Sequence, residues 1–133
     1  VEGKHCDTYA QAYKDLSLGG RFYARTEWEY MQYAVRWITD AGGVAVLAHP
    51  DKYGFSKASI RGFLREFKEA GAQGIEVCYG PGSKSAMNKC SQYARDFELY
   101  ASCGSDFHGP GPGIELGRIQ PLPNYLKPIW ELF

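Results

Sequence analysis

The chain has 133 residues, 44% apolar and 23% charged, and its fifteen acidic residues balance fifteen basic ones. That composition excludes a disordered chain, and the zero net charge argues against binding to long nucleic acid through general phosphate attraction while leaving a local basic pocket open. The length suits one domain or part of one, with a single core, and is short for a complete α/β barrel. No apolar run reaches the roughly 20 residues that cross a membrane, no signal-peptide pattern is present, and a cytoplasmic location is the expectation. Cys6, Cys78, Cys90 and Cys103 form no Cys-x-x-Cys pair. Cys78 and Cys103 fall in strand-like runs, where a thiol acts as a small apolar group, so reduced cysteines are expected.

In chain order, Asp7 is placed to cap a helix whose Tyr9, Ala12, Tyr13 and Leu16 share one apolar face, with Gly19-Gly20 closing it. Thr26 and Glu29 have capping-box spacing ahead of a second helix with a Met31, Ala34, Val35 and Ile38 stripe, ended by Gly42-Gly43. Tyr9, Tyr13, Trp28 and Trp37 follow helical spacing and are expected in the core. Val44 to Ala48 is apolar without alternation, the pattern of a parallel strand covered on both faces.

The alternation then repeats. Ile60, Phe63, Leu64 and Phe67 mark a helix ending near Gly71, and Gly74 to Tyr79 reads as the next strand. Ser83 is a candidate cap for a helix carrying Met87, Cys90, Tyr93 and Ala94, and Leu99 to Cys103 reads as a third strand. Helix and strand alternating in this way imply an α/β fold with parallel strands, either an open sheet or a segment of a barrel. In both, ligand sites gather at the carboxyl ends of the strands.

Two motifs stand at such ends: Ala48-His49-Pro50 and Ser105-Asp106-Phe107-His108. Two imidazoles and a carboxylate are donors that Zn, Mn and Fe accept, and one residue between Asp106 and His108 lets both side chains leave an extended strand end on the same side. Singly, His49 reads better as a core or capping histidine, and Asp106 as an Asx turn or helix cap. Their joint occurrence at equivalent strand ends favours a metal site. Glu76, inside the intervening strand, ranks below them as a carboxylate paired with a base or exposed at an edge. Lys52 and Tyr53 are placed either to meet an anion over the same rim or to form a solvated pair. Gly80-Pro81-Gly82-Ser83 suits a phosphate-facing turn or an ordinary turn and cap. Gly109 to Gly113 reads as a shaped turn, and His5 as a surface histidine.

The segments Gly42 to Pro50, Gly104 to His108 and Ile114 to Arg118 together resemble the carboxyl-terminal half of the polymerase and histidinol phosphatase (PHP) family. The branch they resemble includes nucleoside 3′,5′-bisphosphate phosphatases and a 5′-to-3′ exoribonuclease of short RNAs. Val1 to Lys4 and the stretch from Tyr9 to Tyr23 look like the preceding helical segment of that branch. The resemblance implies the carboxyl-terminal part of a distorted (β/α)7 TIM-like barrel. Residues 1–133 would form a single unit, with a helical segment over 1–41 and βα units bearing the metal motifs over 42–133.

It also implies a rim cluster of up to three divalent metals (Mn, Zn, Fe or Mg), with His49, Asp106 and His108 as ligands and water activated to attack phosphorus. The implied substrates are small phosphorylated molecules or short RNA. The family's early ligands, a His-x-His motif, an Asp-His pair, a glutamate and a further histidine, have no counterpart here. The chain therefore reads as a carboxyl-terminal fragment, inactive alone and prone to self-association through an uncovered strand edge. Where the family has Gly-Arg-Tyr after its His-Pro, this chain has Asp51-Lys52-Tyr53, so Lys52 is the expected phosphate contact, as a point charge rather than a fork. The alternative expectation is a non-catalytic interaction or regulatory module that kept the fold.

Overall fold

The computed structural model describes residues 6–80, 82–109 and 115–133. His5, Val1 to Lys4, Pro81 and residues 110–114, which include most of the glycine-proline turn, lie outside the described residues.

Helix α1 spans Tyr9–Leu16 and is capped by Thr8, whose Oγ1 accepts the Gln11 N–H at 3.1 Å; Asp7 is not the cap. Its expected apolar face is not buried. Tyr9 and Tyr13 are about four-fifths exposed, and the residue α1 buries is Asp15. That carboxylate is held by local polar partners: Gln11 Nε2 at 3.0 Å, and Arg21 through Nε at 3.1 Å and a second guanidinium nitrogen at 2.5 Å. The Arg21 hydrogen bonds hold the Asp15 carboxyl below its ordinary pKa. The helix is thus closed by a polar clasp within its own turn.

Helix α2 spans Met31–Asp40 and starts at Tyr30 without a side-chain cap, so the Thr26–Glu29 capping box does not form. Of its stripe, Val35 is buried and Met31 packs on the core, while Ile38 and Trp37 are exposed. Trp28 is 88% exposed, against the core position expected of it. An amphipathic face buries only where a second surface meets it, and among the described residues α2 meets α3 along the narrow line of Met31 and Val35.

From residue 44 onward the expected alternation is present. Strand β1 is Val46–Leu47, β2 is Gly74–Tyr79 and β3 is Tyr100–Gly104, all parallel in the order β1-β2-β3. Helix α3, Lys57–Glu69, and helix α4, Lys84–Asp96, are the crossovers. Ser56 and Ser83 cap them, accepting the Ser59 and Ala86 N–H groups at 3.1 Å. β1 is shorter than expected and lies at the sheet edge, with Val46 partly exposed and only Ala45 and Leu47 buried. β2 is central, and its Ile75, Val77, Cys78 and Tyr79 are all buried.

Against β2 pack Ile60, Leu64 and Phe67 of α3 and Cys90, Tyr93 and Ala94 of α4, forming one apolar cluster. The far edge of β3 is partly covered by the tail, where the Ala101 N–H donates to the Lys127 carbonyl at 2.8 Å. No disulfide is present among the described residues, and burial raises the Cys78, Cys90 and Cys103 thiol pKa values, Cys90 to about 12. No described helix is long and apolar enough to cross a membrane.

Candidate active site at the strand ends

The carboxyl ends of the three strands meet at one rim because the register is parallel, and two glycines leave room there, one for a neighbouring backbone and one for the Glu76 carboxylate. A Cβ on Gly80 would lie 2.8 Å from the Ser105 carbonyl oxygen, and one on Gly104 would lie 3.0 Å from Glu76 Oε1. Between the pairs Glu76–Ser102 and Cys78–Cys103 the register slips by one residue, with Val77 the extra residue on β2. Such irregularities re-aim side chains at strand ends.

His49 follows β1 and caps a short 3-10 turn, Pro50–Tyr53, with φ 28°. Its N–H donates to Glu76 Oε2 at 2.7 Å. Its ring lies against Tyr53 and, near-perpendicular, against Tyr79, at centroid distances of 5.6 and 6.2 Å. Buried Nδ1 of this ring has no hydrogen-bond partner. A buried polar atom left unpaired is costly unless it serves a ligand.

Asp106 also has positive φ, 54°, just past β3. Left-handed backbone at both His49 and Asp106 is local strain of the kind that gathers at functional sites. Lys52 Nζ donates to Asp106 Oδ2 at 2.5 Å and sits 4.8 Å above the Tyr79 ring centroid. The Lys52 hydrogen bond holds the Asp106 carboxyl below its ordinary pKa. Tyr79 in turn donates its phenol to Asp51, and burial together with that acceptor raises its pKa.

Glu76 is neither at an edge nor paired with a base. It stands on the central strand, half-buried, and desolvation raises its pKa while the His49 N–H pulls the other way. In the sequence it ranks low because a lone acid in a strand is uninformative; the nearest signal is its position three residues before the end of a central parallel strand. Asp51, in the 3-10 turn, and Tyr79, the last residue of β2, pair across 28 residues, and no local pattern in the sequence marks that pairing.

His108 is less engaged. Its side chain is 82% exposed, with Nδ1 2.7 Å from the Asp106 carbonyl oxygen and 3.8 Å from Asp106 Oδ1. The backbone here has left the strand and turned, so Asp106 and His108 are brought close by a turn rather than by an extended end. The structure therefore gathers His49, Glu76, Lys52 and Asp106, with His108 at the outer margin. Among the described residues, no group of three or more His, Cys, Asp or Glu side chains is already arranged as a metal-holding cluster. In donor chemistry the residues suit a divalent ion: an unpartnered imidazole nitrogen on His49, the Glu76 carboxylate that holds the His49 backbone N–H, and an Asp106 carboxylate already paired with a cation.

No family model matches the chain. It is 42% identical over 119 residues to a 3′,5′-nucleoside bisphosphate phosphatase of Chromobacterium violaceum, covering 89% of this chain and 42% of that protein. Over its whole length it is 34% identical to the 5′-3′ exoribonuclease Rnm of Escherichia coli K12, covering 46% of it. The chain spans less than half the length of these curated relatives. Among solved structures, an amidohydrolase from C. violaceum with bound sulfate and no metal superposes with a TM-score of 0.80 at 41% identity, over 92% of this chain and 43% of that one. A structure from Bifidobacterium adolescentis, 24% identical, superposes with a TM-score of 0.66 over 82% of this chain and 39% of its own, a likeness of fold.

Proposed function

We propose that this chain, a relative of the PHP phosphoesterases in the bisphosphate phosphatase and exoribonuclease branch, contributes the later part of a site that hydrolyses phosphate esters. Its parallel sheet is a segment of a TIM-like barrel, and the strand ends carry the chemistry. The observation that supports this reading most is the convergence of His49, Glu76, Lys52 and Asp106 from three adjacent parallel strands and their loops onto one rim.

His49 through Nδ1, Asp106, and His108 after a ring rotation would hold a divalent ion. Such an ion supplies a water acidified toward neutrality and a positive charge against the phosphoryl oxygens. The residues' own contributions are distinct. Glu76 fixes the His49 backbone through its half-buried carboxylate, and so sets where the imidazole stands. Tyr53 and Tyr79 wall the imidazole and limit its rotation. Lys52 supplies the ammonium that meets a phosphate oxygen. The substrates this suits are small nucleotide phosphates or the 5′ end of a short RNA, the chemistry named for its relatives.

The test is calorimetric. Titration of the chain with Mn²⁺ should give saturable binding that disappears in an Asp106→Ala, His108→Ala double variant, and an unchanged signal would refute the assignment. In a phosphate-release assay with nucleoside 3′,5′-bisphosphate, the chain alone is expected to turn over far more slowly than an intact enzyme. Vigorous turnover would show that these residues suffice.

A further inference from the structure

We infer that Lys52 is a built-in counter-cation of the metal-free site: its ammonium occupies Asp106 until a divalent ion displaces it, and is thereby released to meet phosphate. This rests on the metal-site reading above. The ammonium lies 2.5 Å from Asp106 Oδ2. Asp106 is the more enclosed partner, with its side chain 18% exposed against 46% for Lys52, so the carboxylate is the fixed half of the pair and the lysine the movable half.

The resting place of the ammonium is built rather than accidental. Nζ stands over the Tyr79 ring, which Asp51 anchors through the phenol and which also flanks His49. One ring thus positions both the candidate ligand nitrogen and the competing cation.

A carboxylate oxygen bonded to an ammonium cannot give the same lone pair to a metal, and two cations within a few ångströms repel in a partly desolvated site. A lysine, with a flexible four-carbon stem, can yield where a guanidinium fork would stay locked on the carboxylate. Once withdrawn, it is a free positive charge beside the rim. Cation and phosphate binding should then reinforce each other, because each removes the Lys52–Asp106 contact or benefits from its absence.

The experiment compares the wild-type chain with Lys52→Met, which keeps an apolar stem on Tyr79, by Mn²⁺ titration with and without inorganic phosphate. In phosphate-free buffer the variant should bind Mn²⁺ about tenfold more tightly, within the usual range of such coupling. In the wild type, phosphate should tighten Mn²⁺ binding, and in the variant that enhancement should be lost. As a second readout, the reductively ¹³C-dimethylated Lys52 signal, identified by its loss in the variant, should shift on Zn²⁺ addition. If Lys52→Met does not fold, Lys52→Gln and the methyl signal carry the test. Wild-type binding that is unchanged or weakened in the variant, with a static methyl signal, overturns this inference alone. Absence of Mn²⁺ binding in wild type and variant together overturns the site reading and this inference with it.

Discussion

Helices α1 and α2 and the βα units from residue 44 onward carry similar amphipathic patterns, yet the latter bury theirs far more completely. Leu64, Ile75 and Cys90 are completely enclosed, whereas Tyr9 and Leu16 of α1 and Trp37 of α2 stand more than half in solvent. The difference lies in what each face meets. α3 and α4 each lie on a sheet that offers an apolar plane, while α1 is closed by a polar clasp around Asp15 and α2 touches α3 along a narrow line. Periodicity states that a face is available, and a second surface decides whether it is used.

Core truncation should separate the two regions most sharply. Leu64→Ala is expected to cost about 2–5 kcal/mol in urea unfolding, while Leu16→Ala, at the exposed end of α1, should cost under about 0.5 kcal/mol. Equal losses would mean that the amino-terminal helices share the core. The helix caps give a smaller contrast. Ser83→Ala should cost about 1 kcal/mol of global stability, whereas Thr8→Ala should leave the main unfolding transition in place and only fray α1, seen as faster amide exchange over Tyr9–Leu16.

The smallest expected effect is one of pH. Glu76 has a folded pKa raised above its ordinary 4.5, chiefly by burial. Its favourable contribution is therefore full below that value in the metal-free chain, and is lost as pH rises through the raised folded value. Glu76→Gln should flatten stability against pH from about 4.5 upward, measured as urea midpoints. An unaltered profile would show that the strand-end acid is not the source.

The outline of the βα region was readable residue by residue. Ser83 caps α4 because a serine oxygen before an apolar stripe meets the first free N–H groups, and Gly74 to Tyr79 is a buried strand because its apolar run is too dense for a surface one. At the site, His49 and Asp106 were legible from their motifs. Their shared left-handed backbone was not, since φ at a strand end follows from how the next turn packs.

By itself the sequence determined the order of elements, the parallel connectivity, the cap of α4, and the two motifs at the strand ends. These follow from local hydrogen-bonding chemistry and from periodicity, which act within a few residues. Only the tertiary structure decided that Glu76 reaches the His49 N–H, that Lys52 rests on Asp106, and that Tyr9 and Trp28 face solvent. Those outcomes depend on surfaces brought together from distant parts of the chain, and no local pattern encodes which surface a side chain will meet.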